Sequence, residues 1–173
     1  MDLITVRGAR LLGQCDVVIY AGSLVNPEVL QYCKPSCQVH DSAKMTLEEV
    51  IDVIVRAESQ GLTTVRLHTG DSSIYGAVHE QFAELDKRGI DYDVCPGVSA
   101  FCGAAAALRA EYTLPGVSQT VIITRAAGRT PVPRGQSIRE LAAHGATMVL
   151  FLSTSLTERL QAWLLYTSPS PRD

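Results

Sequence analysis

Two rhythms of apolar residues alternate along the 173-residue chain. Four short runs have the density of buried parallel strands: Asp16-Val17-Val18-Ile19-Tyr20-Ala21, Thr63-Thr64-Val65-Arg66-Leu67, Thr120-Val121-Ile122-Ile123-Thr124-Arg125 and Ala146-Thr147-Met148-Val149-Leu150-Phe151-Leu152-Ser153. Between them lie stretches with helical spacing. Thr46 and Glu49 make a capping box, and Leu47, Val50, Ile51, Ile54 and Ala57 recur at three- and four-residue intervals, which predicts an amphipathic helix over 46–60 ended by Gly61. Shorter helices are expected over Thr5 to Leu12, closed by Gly13, and from Pro27 through Tyr32. Val78, Phe82 and Leu85 mark another that begins near Ala77 and ends at Gly89. Asp91 to Cys95 reads as a short strand leading into a small-residue helix, Phe101 to Leu108, whose four alanines after Gly103 give it a thin body suited to close approach. Ser137, with Glu140 at the box position, caps a short helix, and Leu156 to Leu165 begins a last one. Strands alternating with helices throughout predict an α/β fold of parallel or mixed sheets covered by helices.

Composition narrows the classes. Hydrophobic residues make up 46% and charged residues 19%, ordinary for a globular protein, and no stretch reaches the ~18 uncharged apolar residues that a membrane span needs. A net charge of -3 argues against a nucleic-acid partner, whose non-specific affinity depends on a basic surface. The N-terminus lacks a charged-then-apolar export pattern, so a cytoplasmic location is expected. Cys15, Cys33, Cys37, Cys95 and Cys102 are scattered without a Cys-x-x-Cys and read as reduced thiols. Cys33 and Cys37 would meet if helical, but Pro35 lies between them and no histidine completes a metal set, so no metal site is expected.

Candidate chemistry centres on His68-Thr69-Gly70-Asp71-Ser72-Ser73-Ile74-Tyr75-Gly76, which joins a predicted strand to a predicted helix. Ligands in α/β folds bind outside the carboxyl ends of strands. Gly70 and Gly76 permit close backbone approach, and the Asp71 carboxylate accepts hydrogen bonds from hydroxyl or ammonium groups or caps a helix. No Gly-Lys-Ser/Thr follows, which excludes a Walker phosphate loop. Ser99 lies near no histidine in sequence, and Gly97-Val98-Ser99-Ala100-Phe101 lacks the last glycine of a hydrolase elbow.

Several runs together resemble a known family: Tyr20-Ala21-Gly22-Ser23-Leu24-Val25, the Gly-Asp-x-x-Ile-Tyr-Gly loop, Pro96-Gly97-Val98-Ser99-Ala100, and the strand to Arg125 followed by Gly128-Arg129-Thr130-Pro131-Val132-Pro133. They are similar to the tetrapyrrole methylases, and within these to the group acting on C11 of precorrin-4 in cobalamin biosynthesis. The resemblance covers Asp2 to about Leu160. It implies two α/β domains with a cleft between them for S-adenosylmethionine, a homodimer, and a small-molecule tetrapyrrole substrate. Carried over by position, Thr69, Gly70, Asp71 and Ile74 match the central cofactor loop, Ser99 and Ala100 a second cofactor contact, and Leu152 or Ser153 a third. A precorrin carries many carboxylates, so arginines are expected at its pocket, with Arg125 and Arg129 nominated and Arg134 a further candidate. Tyr75 reads as a packing residue.

The same resemblance sets further expectations. An N-terminal domain over 1–115 lacks the family's first strand and glycine-rich loop, the hinge falls at Pro115-Gly116, 116–163 forms an incomplete second domain, and 164–173 is an extraneous or disordered tail. Ser72 stands where the family has proline, which loosens the loop. Alternatives are another methylase of the family, such as one acting on uroporphyrinogen III, and a degenerate chain that binds without catalysis.

Overall fold

The computed structural model describes residues 2–22, 24–128 and 130–167, with side chains through Leu164. The chain divides into two compact units, Met1–Gly103 and Ala104–Asp173. The division falls inside a helix, and at Pro115-Gly116 the Val117 and Ser118 amides donate to the Leu114 carbonyl in a local turn.

The first unit opens with helix α1, Val6–Gln14, capped by the Thr5 hydroxyl, which accepts from the Gly8 amide. Gly13 does not end it. The helix continues one residue further and closes where the Cys15 amide donates to the Leu11 carbonyl. Strand β1, Val17–Tyr20, follows, then a six-residue 3-10 helix, Pro27–Tyr32, and strand β2, Gln38–Asp41. Helix α2, Leu47–Ser59, carries both halves of the predicted box: the Thr46 amide donates to Glu49 Oε2 and the Glu49 amide to the Thr46 hydroxyl. It leads to strand β3, Thr64–Leu67, and helix α3, His79–Lys87.

The three strands form one parallel sheet in the order β2-β1-β3, with Val18 opposite both Val39 and Val65. Val17 and Ile19 point to one face, where Val50, Ile51, Val53, Ile54 and Ala57 of α2 and Leu85 of α3 close over them. Val18 points to the other, against Leu12 and Cys15, with Val29, Leu30 and Tyr32 packed alongside. A central strand apolar on both sides is therefore buried on both sides, as a parallel sheet requires. Full burial of a side chain such as Ile51 contributes about 1.5–3 kcal/mol.

Two local expectations fail for physical reasons. β2 escaped notice because Gln38-Val39-His40-Asp41 is an edge strand with mostly exposed side chains, so it lacks an apolar run. The predicted strand over Asp91 to Cys95 has no backbone ladder. Side chains hold it instead: the Tyr92 ring stacks on Phe82 with centroids 4.7 Å apart, and Asp93 meets Arg7 at 3.6 Å.

Helix α4, Ala100–Leu108, contains no buried residue, and Leu108 is 73% exposed. In the second unit, β4, Val121–Arg125, pairs in parallel with β5, Thr147–Phe151, with Thr124 opposite Leu150. Helix α5, Ile138–Ala142, has the predicted box from Ser137 and Glu140, and α6, Thr157–Thr167, follows a 3-10 turn. Ala126, Ile138 and Leu160 form the core on one face, with Met148, Leu150 and Trp163 packed against it. α6 runs through residues 164–167 of the expected tail, and 168–173 lie outside the described residues. Among the described residues no helix is long and apolar enough to cross a membrane.

Candidate functional site

Beyond β3 the chain does not enter a helix directly. It makes a loop from His68 to Val78 in which Gly70, Tyr75 and Ala77 all take positive φ, at 61°, 55° and 49°. Left-handed backbone at a tyrosine and an alanine costs energy and persists only where surrounding contacts fix it, a condition met most often at binding sites. Asp71 anchors the first half of this loop. Its Oδ1 accepts from the Ser73 amide at 2.9 Å and from the Ser73 hydroxyl, while Oδ2 accepts from the Gly97 amide at 2.8 Å. The Ile74 amide closes the turn onto the Asp71 carbonyl.

One carboxylate thus ties the loop to itself and to the Pro96-Gly97 segment, 26 residues away in sequence. The Ser73 hydroxyl first, then the Gly97 and Ser73 amides, hold the Asp71 carboxyl below the usual carboxylate range. Asp71 does not cap α3, whose first residue is His79.

Glycines let these two loops touch. A Cβ on Gly97 would stand 1.9 Å from the Gly70 carbonyl oxygen, and one on Gly76 would stand 2.1 Å from the Ser72 carbonyl oxygen. Gly70 meets the Ala100 amide nitrogen and the Ser99 Cα at 3.5 Å, the distances a Cβ there would have. Ser99 is buried, whereas Thr69, Gly70 and Ala100 are exposed and Ile74 is half-buried. Thr69, Gly70, Asp71, Ile74, Ser99 and Ala100 are therefore brought together within the first unit. The result is two loops in direct main-chain contact, with Gly97 against the Gly70 carbonyl and exposed backbone at Gly70 beside Ser99 and Ala100.

His68 lies at the start of the first of these loops. Its Nε2 is buried and has no hydrogen-bond partner among the described residues. Burial, with the Arg66 charge adding to it, pushes the imidazole down to about 4, so it is neutral at pH 7. Arg66 itself donates to the Ile19 carbonyl at 3.0 Å and to Gln81 Oε1 at 3.3 Å. Of the residues that shape the two loops, only Gly76 had been read in the sequence as permitting close approach; Gly97, Ser73 and His68 were given no role of their own. The dipeptide Pro96-Gly97 was the available signal, since a glycine there marks backbone that needs close approach.

The remaining candidates sit in the second unit. Ser153 is buried, and its hydroxyl accepts from the Ala126 amide at 3.0 Å and donates to the Phe151 carbonyl at 2.7 Å, pinning the end of β5 to the end of β4. Leu152 before it has φ 53° and is 71% exposed. Arg125 donates to the carbonyls of Ala126, Thr130 and Pro131, at 3.3, 3.1 and 3.0 Å, so it holds the loop that follows β4. Arg125, Ala126, Gly128, Thr130 and Leu152 line a shallow depression of about 310 Å³. Arg129 lies outside the described residues.

The residues present in the first unit fit an adenosyl cofactor. Exposed backbone at Gly70, with Ser99 and Ala100 beside it, suits reading the edge of a base or a ribose, and the orphaned imidazole nitrogen adds an unpartnered polar atom.

The family model described as Tetrapyrrole (Corrin/Porphyrin) Methylases matches residues 1–170. A cobalt-precorrin-4 C(11)-methyltransferase of Methanocaldococcus jannaschii is 53% identical over 159 residues, covering 92% of this chain and 61% of that protein. The chain thus spans about three fifths of that relative's length. The X-ray structure of a cobalamin biosynthetic enzyme, cobalt precorrin-4 methyltransferase, superposes with a TM-score of 0.93 at 44% identity, covering 96% of this chain and 70% of the other. A uroporphyrin-III C-methyltransferase from Thermus thermophilus, complexed with S-adenosyl homocysteine, shares the fold with a TM-score of 0.73 at 22% identity, covering 99% of this chain and 69% of the other.

Proposed function

The chain belongs to the tetrapyrrole methylases, and from that premise we propose that it transfers the methyl group of S-adenosylmethionine to C11 of precorrin-4 or of its cobalt form. One observation supports the cofactor assignment above all others. The Gly70-Asp71 loop and the Gly97-to-Ala100 loop are joined by the Asp71 to Gly97 hydrogen bond and by glycine contacts that admit no side chain. When bound, the cofactor supplies a methyl group already activated as a sulfonium. The chain's own part is to hold the adenosyl group, align the acceptor carbon and keep water away.

In this reading Thr69, Gly70, Ile74, Ser99 and Ala100 line the adenosyl site. Asp71 acts as a positioning residue that fixes the two loops, since its carboxylate is already engaged by Ser73 and Gly97. Leu152 is the nominated ligand contact of the second unit, and Ser153 holds its backbone in place. Arg125 holds the Thr130 and Pro131 carbonyls, and Arg125 and Arg129 remain the nominated partners of the substrate's carboxylates.

The preference for a precorrin-4 substrate rests on the 53% identity and the 0.93 superposition. We assign the working form as a cytoplasmic homodimer. Five cysteines outside any disulfide suit a reducing compartment, and sedimentation would give the subunit number. The direct assay incubates the chain with S-adenosylmethionine and, in parallel, precorrin-4, cobalt-precorrin-4 and uroporphyrinogen III. A methylated C11 product with either precorrin supports the proposal. Turnover of uroporphyrinogen III alone moves the chain to another branch of the family, and cofactor binding without turnover of any substrate supports the degenerate reading.

A further inference from the structure

The end of the three-stranded sheet away from the glycine loops carries a second concentration of reactive side chains. Cys15 closes α1 two residues before β1, Cys33 closes the 3-10 helix, and Cys37 immediately precedes β2. Because β1 and β2 are parallel neighbours, with Val17 opposite Gln38, the segments entering them lie side by side. Pro35 does not separate Cys33 from Cys37. It occupies the second position of a turn in which the Cys37 amide donates to the Lys34 carbonyl at 3.0 Å, and the turn folds the two cysteines back towards each other.

All three sulfurs consequently lie within 4.8 Å of one another, and Cys15 Sγ stands 3.6 Å from Cys37 Sγ. We propose that Cys15, Cys33 and Cys37 form a binding site for a soft cation of the Zn2+ or Cu+ type, held as a three-thiolate complex.

The geometry suits such an ion. Metal–sulfur bonds of roughly 2.3 Å place three thiolates about 3.8–4.0 Å apart around one centre, so the sulfurs need only small shifts to close on it. The donor set is all sulfur, which selects soft ions over Mg2+ or Ca2+. Cys15 is fully buried, and Cys33 and Cys37 are half-buried, so the site has a rigid floor and an open side for entry. Zn2+ would keep its fourth position for water on that open side, whereas Cu+ is satisfied by the three sulfurs.

Three thiolates around either ion leave net negative charge on the side that opens to solvent. Lys34, next to Cys33 in sequence, is fixed at this end of the sheet by Asp16 Oδ1 at 2.6 Å and the Gln14 carbonyl at 3.5 Å. A disulfide between Cys15 and Cys37 is the competing use of the same sulfurs, but it would leave Cys33 without a role. The site stands at the starts of the strands, so it is independent of the cofactor reading given above.

The test uses the full chain, reduced and metal-free under anaerobic conditions, titrated first with Co2+ as the spectroscopic stand-in and then with Zn2+ or Cu+. The expected result is a thiolate-to-cobalt charge-transfer band in the near ultraviolet that saturates at one equivalent and is bleached by Zn2+. Competition against a chromophoric Cu+ chelator ranks the two ions. Cys33→Ser and Cys37→Ser, both at half-buried positions, each lose the band while circular dichroism shows the fold intact, and Cys102→Ser, at an exposed cysteine outside the cluster, keeps it. Zn2+ also raises the melting temperature of the unaltered chain and not that of Cys37→Ser. A wild-type chain with no charge-transfer band, or a band that survives in both serine variants, overturns the proposal. So does a fully reduced protein that binds none of the three ions and oxidises only to a Cys15–Cys37 disulfide.

Discussion

Two aspartates at opposite ends of the three-stranded sheet, Asp16 and Asp71, each join separate chain segments, and they differ in what surrounds them. At the entry to β1, Asp16 accepts from Lys34 Nζ at 2.6 Å and from the Thr63 amide at 2.9 Å, joining three chain segments among side chains that have room to adjust. Beyond β3, Asp71 accepts from Ser73 and Gly97, but here the segments are pressed together until only glycine fits between them. Both carboxyls lie below their usual range for the same reason, hydrogen bonds to the charged form. The end that tolerates side chains is built for stability, with the cysteine cluster beside it. The end that excludes them presents bare, partly strained backbone, which is how a fold offers hydrogen-bonding groups to a ligand.

The sharpest way to break this contrast is to add a methyl group at each end. Gly97→Ala places a Cβ 1.9 Å from a carbonyl oxygen and forces the loops apart, so cofactor affinity should fall by about a hundredfold or more in equilibrium dialysis with S-adenosylhomocysteine. Next in size are the aspartates. Asp71→Ala removes the acceptor shared by Ser73 and Gly97 and should weaken cofactor binding about tenfold, the equivalent of one hydrogen bond to a charged group. Asp16→Ala, by contrast, should lower the melting temperature and leave the dissociation constant unchanged.

Acid offers a smaller perturbation confined to the ligand end. His68 is held neutral, with its folded value near 4 against 6.5 when exposed, so between those values the unfolded chain binds more protons than the folded one. The stability tied to the neutral imidazole is complete above about pH 6.5 and is lost as the pH falls towards 4. Thermal melts across that window should drop more steeply for the native chain than for His68→Asn. The smallest effect is expected at Gly13, where an added Cβ would meet the Tyr32 carbonyl oxygen at an ordinary 3.5 Å. Gly13→Ala in the last turn of α1 should stabilise the chain by about 0.5–1 kcal/mol without touching cofactor affinity, as chemical denaturation can show.

What could be read from the sequence follows the range over which each signal acts. Both capping boxes, at Thr46 with Glu49 and at Ser137 with Glu140, are contained within four residues and form as expected. The strand at Val17–Tyr20 announced itself because a strand buried on both faces must be apolar throughout. β2 did not, because an edge strand can be polar. Gly13 looked like a helix stop, but a glycine also sits inside a helix where packing of Leu12 holds the last turn.

The site was legible only in outline. Residue type singled out Gly70 and Asp71, and family resemblance added Ser99 and Ala100. That Asp71 binds Gly97 rather than a helix end depends on a contact across 26 residues, which no local pattern encodes. The cysteine trio was hidden for the same reason: parallel pairing of β1 with β2 brings Cys15 to Cys37. Pro35, read as a barrier between Cys33 and Cys37, is the residue that turns the chain between them.

The account rests on the two glycine-bearing loops of the first unit acting as one cofactor-binding surface. Amide chemical-shift mapping of the isotopically labelled chain, titrated with S-adenosylhomocysteine, tests this most directly. The account predicts that within the first unit the perturbed amides cluster at 68–76 and 96–102, saturate together with one dissociation constant, and leave the segments around Cys15, Cys33 and Cys37 undisturbed. Shifts centred on the cysteine end, or none at either glycine loop at saturating ligand, would contradict it.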